Sequence, residues 1–369
     1  MTTRISRDVA QRNGSATRWR ATRRAVAVLA LGAFVATACG SDDNSAATAT
    51  TAAPSSSSAD TTTPVNSRTT YPVTVDNCGT TVTVDTSPVH VLSDQEQDAV
   101  PLFELGAGDR VKAIFSHFGG ELGFIEAFDP AIVSAIQALP DLDGDAGSAY
   151  PVFELVLQEK PDFIFQAYPG DALGGDEKNQ AALDAAGIPV YTLTANCADD
   201  ASFESHFTDL ENLGLILDLQ DEAAALIAER RGLLDEIETT VADAERPNVF
   251  LLDSFAEGGV IYTNTGSFTR DTITIAGGTP VPEPGPDRYS ASLEEVAAAN
   301  VEVLLVTHYP ESVGVGTDEE RAQQWFEAFP NSPAAKDQRW AAVPYPGGPN
   351  AIVIAQAFAE AIHPDLFPS

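Results

Sequence analysis

His117, Phe118, Gln166, Tyr168, Thr263, Asn264, Phe268, Arg270, His308 and Tyr309 are the residues of this chain whose types and placement suit the gripping of a large guest. They lie in stretches that follow predicted strands, and in open α/β sheets ligands gather outside the carboxyl ends of the strands. Aromatic faces with a few hydrogen-bonding groups fit a bulky, partly apolar metal chelate. Arg270 would add paired donors for an anionic one. Tyr345 and, on a loop rich in proline and glycine, Arg288 complete the set. Each of these also has a plain role open to it as packing or loop capping. His117, His308 and Tyr309 could instead ligate a bare metal or a haem iron, since imidazole and phenolate are iron ligands.

Catalytic signatures are missing. The chain has no G-x-S-x-G, no H-E-x-x-H and no Walker glycine loop. Gly106-Ala107-Gly108 lacks a third glycine at dinucleotide spacing. Asp141-Leu142-Asp143-Gly144-Asp145 starts like a calcium loop, but Ala146 replaces the glycine and Val152 the bidentate glutamate. The expectation is a binding protein with no catalytic residues, no resident cofactor and no dedicated metal site. An extracytoplasmic enzyme or metal-storage module on the same scaffold is the alternative.

The elements that must position these residues alternate in type. A hairpin spans residues 71–85, with valines alternating on each arm and Asp76-Asn77-Cys78-Gly79 between. A strand at 90–92, a helix at 97–105, a strand at 111–115, a helix at 154–159, an apolar strand at 163–168, a helix at 180–186 and a strand at 190–193 follow. This is an α/β lobe. The pattern recurs: strand 248–253, helix 269–275, helix 293–299, strand 303–309, strand 340–344 and helix 350–362. At an offset of 140, Glu154 falls on Glu294, Asp162 on Glu302, and Phe163-Ile164-Phe165 on Val303-Leu304-Leu305, with Tyr168 and Tyr309 within one position of each other. A repeat of that length means two similar domains.

Between the lobes lies a stretch from 221 to 244 with no proline and the single glycine Gly232. Leu226, Ile227, Leu233, Leu234, Ile237 and Val241 draw one stripe on a helix roughly 36 Å long, a strut that crosses a whole domain.

Seven arginines and one aspartate crowd residues 1–38 ahead of an apolar run too short to span a bilayer, which reads as a secretory signal. Its end, Val35-Ala36-Thr37-Ala38-Cys39-Gly40, resembles the lipobox of bacterial lipoproteins, with Ala36 where leucine is more usual; the resemblance implies that Cys39 carries a lipid. An ordinary cleavage site is the alternative, and Arg23-Arg24 leaves the general secretory and twin-arginine routes both open. Residues 40–70, almost entirely Ser, Thr, Ala, Asp and Asn, have too little to bury and should form a flexible tether. Without the signal, 13 basic residues face 53 acidic ones, a formal charge of −40, which excludes nucleic acid and an anionic membrane surface as direct partners. If Cys39 is lipidated, Cys78 and Cys197 remain as an even pair, and a disulfide is the simple expectation, with two separate thiols as the alternative.

Tyr71-Pro72-Val73-Thr74-Val75-Asp76-Asn77-Cys78-Gly79, Leu105-Gly106-Ala107-Gly108-Asp109-Arg110-Val111, Leu139-Pro140-Asp141-Leu142 and Lys160-Pro161-Asp162 resemble segments of the substrate-binding lipoproteins of ABC importers for ferric siderophores and cobalamin. Ala276-Gly277-Gly278, Ser292-Leu293-Glu294 and Ile362-His363-Pro364 do so too. The resemblance covers residues 71–369 in order. It implies the α/β fold of class III periplasmic-binding proteins: two Rossmann-like lobes, 71–204 and 246–369, joined by one long rigid interlobe helix within 205–245, after a signal (1–38) and a lipidated linker (39–70). It further implies a monomer anchored to the outer face of the cell membrane, holding a ferric siderophore in its cleft and handing it to an ABC importer permease. Haem, cobalamin or a bare ion are the other cargoes it allows. Permease docking falls by position on Glu154 and Glu294, with Glu295 as a competitor for the second place. Few basic residues are left for the cleft, which favours a neutral, hydroxamate-like chelate over a highly anionic catecholate.

Overall fold

Alternating valines Val73, Val75, Val82 and Val84 are buried along one face of a hairpin formed by β1 (Val73–Asn77) and β2 (Thr80–Val84), closed by the two-residue turn Cys78-Gly79. In the computed structural model this hairpin is the first element among the described residues. The structure describes residues 68–117, 123–144, 150–197, 202–255, 260–263, 267–283, 290–310, 314–348 and 350–367. The signal, Cys39, most of the tether, Phe118, Asn264 and Arg288 lie outside the described residues.

Four parallel strands make the first sheet: β3 (Val91–Gln95), β4 (Val111–Ser116), β5 (Phe163–Gln166) and β6 (Val190–Thr192), in the order β4-β3-β5-β6. β5 is buried along its whole length, as expected of a parallel strand covered on both faces. The helices of this lobe are α1 (Glu96–Glu104), α2 (Pro130–Gln137), α3 (Phe153–Glu159) and α4 (Gln180–Ala186). A disulfide joins Cys78 in the hairpin turn to Cys197 beyond β6, with Cα atoms 5.5 Å apart. Closing that loop stabilises the fold by about 4–5 kcal/mol in the chain-entropy model. Asn77 reinforces the junction, exchanging hydrogen bonds of 2.7 and 2.8 Å with the backbone of Thr192.

The second lobe repeats the plan. β7 (Asn248–Leu252), β10 (Thr279–Pro280), β12 (Val303–Thr307) and β13 (Trp340–Val343) lie parallel in the order β10-β7-β12-β13, so both sheets place the first strand of the lobe between its second and third. The equivalence extends to single residues. The Asp162 carboxylate accepts from the backbone N–H groups of Val89 and His90 ahead of β3, and Glu302 accepts from Asn248 at the start of β7. Lys160 and Asn300, also 140 apart, both turn through positive φ, at 52° and 49°. A small antiparallel sheet of β8 (Ser254–Phe255), β9 (Val260–Tyr262) and β11 (Ser290–Ser292) is peculiar to this lobe among the described residues.

The connection is a helix hairpin: α5 (Phe203–Leu217) precedes α6 (Gln220–Val241), with Asp218 in the left-handed region between them. α6 has 22 residues, a length of about 33 Å. Ala223, Ile227, Arg230, Leu234, Ile237 and Val241 are its buried residues, alternating steps of four and three, while Leu226 and Leu233 flank the stripe half-buried. One continuous core runs from Phe163 and Phe165 through this helix to Leu251 and Leu305. Arg230 is the member the apolar periodicity did not show. It is tolerated inside because Glu104 of α1 receives its guanidinium in a largely buried ion pair. Beside it, burial and then the Arg230 charge push the pKa of His206 down to about 4, so that ring is neutral.

Besides α5, which makes the connection a pair of helices where one long helix was expected, three of the described helices went unassigned from sequence. α2 is capped by Asp129 ahead of Pro130, α9 (Asp318–Ala328) by a Thr317/Glu320 capping box, and α10 (Pro333–Asp337) by Ser332. α7 (Ser267–Ile275) and α8 (Leu293–Ala298) match expectation. The closing helix breaks at Ile354 into α11 (Asn350–Val353) and α12 (Ala355–Ile362).

Glu104→Ala would strand the Arg230 charge inside the interlobe core, and is expected to lower unfolding free energy by about 3–5 kcal/mol. Urea denaturation of the single variant and of Glu104→Ala with Arg230→Met checks this, the pair regaining most of the loss.

Candidate functional site

In each sheet the strand order reverses at the first strand, and a ligand is expected outside the carboxyl ends at such a switch point, those of β3, β4 and β5 in one lobe and of β7, β10 and β12 in the other. The lobes touch there. Phe124, in the turn after β4, stacks on Tyr345 after β13, with ring centroids 4.0 Å apart and planes 15° from parallel. Tyr309, after β12, lies 6.4 Å from Phe124 at a tilt of 51°. Both contacts join one lobe to the other.

Tyr309 is held from behind. Its hydroxyl donates to the Asp253 carboxylate at the end of β7, and the Arg321 guanidinium lies 5.4 Å from its ring. Arg321 is buried and donates to the carbonyls of Asp253 and Thr307, at 2.7 and 2.5 Å, and to Asp318 at 2.6 Å. The other oxygen of Asp318 meets His308 Nδ1 at 2.6 Å. One buried arginine therefore ties together the ends of β7 and β12 and the start of α9. Burial, followed by the charge of Asp253, raises the pKa of Tyr309, which keeps the phenol protonated as a donor.

Across the cleft, His117 at the end of β4 has both ring nitrogens occupied, by Glu96 at 2.8 Å and by the Leu139 carbonyl at 2.9 Å. Burial alone would lower its pKa, but these hydrogen bonds and the charges of Glu96 and Asp141 outweigh it and raise the value. Tyr168, at the end of β5, is half exposed. Two buried aspartates hold the backbone that carries it: Asp94 accepts from Ala167 N–H at 2.9 Å and Asp171 from Tyr168 N–H at 2.7 Å. Asp98 lies with them and accepts from Gln95 N–H at the start of α1; burial pushes its pKa up to about 7. Asp94 is raised too, by burial and then by the charge of Asp98.

The remaining sequence candidates are engaged within their own surroundings. Gln166 is buried, its amide donating to Thr192 Oγ1 and accepting from Ala172 N–H, both at 2.9 Å. Thr263 is buried and donates to the Leu251 carbonyl at 2.6 Å. Phe268 packs on Phe203 of α5, ring centroids 6.1 Å apart, in the interlobe core. Arg270 donates to Glu283 at 3.0 Å and to the Pro282 carbonyl at 3.4 Å. Gln166, Thr263 and Arg270 thus have hydrogen bonds within the fold, and Phe268 has a ring contact. Phe124, Asp253 and Arg321 were missed. Arg321 sits in the acidic run 318–320, where it reads as part of a solvated helix face. Among the described residues no three His, Cys, Asp or Glu side chains are grouped to hold a metal ion.

Glu154 and Glu294 are both exposed, each the second residue of a helix, α3 and α8, that precedes the third strand of its lobe. Neither is in an ion pair among the described residues. Glu295, by contrast, accepts from Ser292 N–H and Oγ at 2.8 and 2.7 Å in a capping box.

A family model described as Periplasmic binding protein matches residues 146–339, just over half of the chain. No curated protein sequence matches. Among solved structures, a periplasmic binding protein from Veillonella parvula has a TM-score of 0.64 at 20% identity, covering 79% of this chain and 97% of that one. The structure titled as an ABC-type Fe3+-hydroxamate transport system from Saccharomonospora viridis has a TM-score of 0.62 at 23% identity, covering 81% and 100%. A heme binding protein has a TM-score of 0.58 at 17% identity, covering 80% and 92%. At these identities the likeness is one of fold.

The buried aspartates carry a pH signature. Asp98 titrates near 7 in the fold against 3.8 in an unperturbed chain, so between those values the folded state holds the extra proton and stability falls as pH rises. Asp98→Asn, which keeps an acceptor for Gln95 N–H, is expected to raise the melting temperature by about 2–6 °C at pH 8 and to leave it nearly unchanged at pH 4. Thermal unfolding followed by circular dichroism at the two pH values checks this.

Proposed function

Because this chain belongs to the periplasmic binding protein family, we propose that it captures a neutral ferric siderophore of hydroxamate type in the interlobe cleft and delivers it to the permease of an ABC importer. It is a solute-binding component of transport, not an enzyme, and it works outside the cytoplasm. The Cys39 lipid anchor and the 40–70 tether belong to the same proposal: they would keep a loaded carrier within reach of its permease.

The observation that carries the cargo class is the chemistry of the strand ends. Three aromatic rings, Phe124, Tyr309 and Tyr345, meet there, and the arginines nearest by sequence are committed elsewhere, Arg321 to carbonyls and Asp318, Arg270 to Glu283. Among the described residues these two guanidinium groups are already engaged, so a highly anionic chelate would find neither of them free to offset its desolvation, whereas a neutral, partly apolar one needs no such partner. The Saccharomonospora viridis neighbour, titled as an Fe3+-hydroxamate transport system, supports the same choice. His117 and Tyr309 are poorly placed to ligate bare or haem iron directly, because His117 has both nitrogens in hydrogen bonds and the Tyr309 phenol is held protonated by Asp253.

Glu154 and Glu294 are the proposed docking carboxylates, one on each lobe, facing arginines of the permease. Their equivalent placement supports this, as does the lack of an ion pair at either among the described residues, and the engagement of Glu295 in a capping box favours Glu294 over it.

Titration of a ferric trihydroxamate is expected to quench the fluorescence of Trp325 and Trp340 saturably, with little response to the iron-free ligand or to free metal; quenching by zinc or manganese alone would overturn the cargo reading. Glu154→Lys with Glu294→Lys should leave that affinity within about twofold while abolishing iron uptake by cells, and a large loss of affinity would contradict docking.

A further inference from the structure

The interlobe aromatic contact shows more than a generic apolar cleft, because one of its rings is out of place for its own lobe. The turn at residues 123–128 is anchored in the first lobe by Ile125 and Phe128, both buried with Ile114 and Ile136. Phe124, one residue ahead of Ile125, instead lays its ring on Tyr345 of the second lobe. The backbone follows it across: Gly123 has φ +75°, and a Cβ there would stand 3.2 Å from Pro310 Cγ. Tyr345 in turn is backed by Gly347, where a Cβ would come within 2.0 Å of the tyrosine ring. Its ring is thus pressed between its own loop and Phe124, and Tyr309 closes the side, fixed by Asp253 and Arg321.

We propose that Tyr345, with Tyr309, forms an aryl subsite and that Phe124 is its resident placeholder, standing where an aromatic group of the cargo sits. The proposal rests on the cleft reading above and narrows it: the cargo is a neutral ferric chelate that presents a flat aryl face. Stacking on Tyr345 favours such a chelate, and every cargo must first displace Phe124. Aromatic pairs of this geometry contribute enough to change an equilibrium by about 2- to 10-fold, which sets the size of both effects.

Two neutral probes with the same metal and donor set separate them: ferric tris-benzohydroxamate, which carries aryl groups, and ferric tris-acetohydroxamate, which does not. The parent protein is expected to prefer the aryl complex by about 2- to 10-fold. Phe124→Ala should tighten both complexes by a similar factor, since the competitor is gone, and Tyr345→Ala should erase the preference. Weaker binding of both complexes by Phe124→Ala would make Phe124 part of the platform and overturn the placeholder. An iron-free arm keeps the subsite testable if neither complex binds, an outcome that would count against the siderophore reading alone. Benzohydroxamic acid by itself, followed by saturation-transfer NMR, should contact Phe124→Ala and not the Phe124→Ala, Tyr345→Ala double variant. Equal signals from the two, or none from either, would overturn the subsite.

Discussion

Burial of one face of α6 against both lobes is the constraint on which the rest of the molecule depends. Its apolar stripe belongs to the same core as Phe163 and Phe165 in the first sheet and Leu251 and Leu305 in the second, so the sheets cannot separate without exposing it. A carrier that must hold two strand-end surfaces at a constant spacing needs such a shared core more than it needs a flexible hinge. The Arg230–Glu104 pair adds specificity of register at this place: a charge that is costly to bury without its partner forces one seating of the helix on α1.

Charge on this protein is divided between outside and inside. The acidic surplus covers the exterior, while several cationic groups near the core are turned to structural ends: Arg230 to Glu104, Arg321 to carbonyls at the ends of β7 and β12, and Arg339 to the Ile362 carbonyl. Among the described residues, the contact between the lobes at the strand ends is consequently aromatic, and the Arg321 guanidinium beside it is engaged. Orientation of the aromatic groups comes from polar atoms that never reach the cleft. Asp253 and Arg321 hold Tyr309, and Asp94 and Asp171 hold the backbone of Tyr168. Such buried carboxylates are destabilising when ionised, and here they secure backbone amides at the strand ends where a ligand is received.

The duplication explains why so much of the site comes in pairs. Asp162 and Glu302 perform the same task of tying down the start of the first strand in each lobe, and Lys160 and Asn300 make the same left-handed turn before it. Glu154 and Glu294 inherit equivalent places at the start of the next helix back. The cleft is where the symmetry ends. Phe124 crosses from one lobe, while the two tyrosines it meets both come from the other.

From sequence alone, periodicity and offset determined the two-lobed α/β plan, the strut, the hairpin and its disulfide partner, because each depends on near neighbours, on a repeat, or on counting cysteines. Glu154 and Glu294 were legible for the same reason, being exposed and positioned by a helix start. Which polar residues line the cleft was decided only in three dimensions. Gln166 meets Thr192, Thr263 meets Leu251, and Phe268 meets Phe203, and none of these partners lies within the span that local pattern can read. Nothing in the local sequence marks Arg230 or Phe124: Glu104 of α1 meets the first only in the fold, and Tyr345 comes to within 4.0 Å of the ring of the second only there. Local propensity and spacing settle what a segment is; the burial or exposure of its polar and aromatic groups is settled by other segments that the fold brings against it.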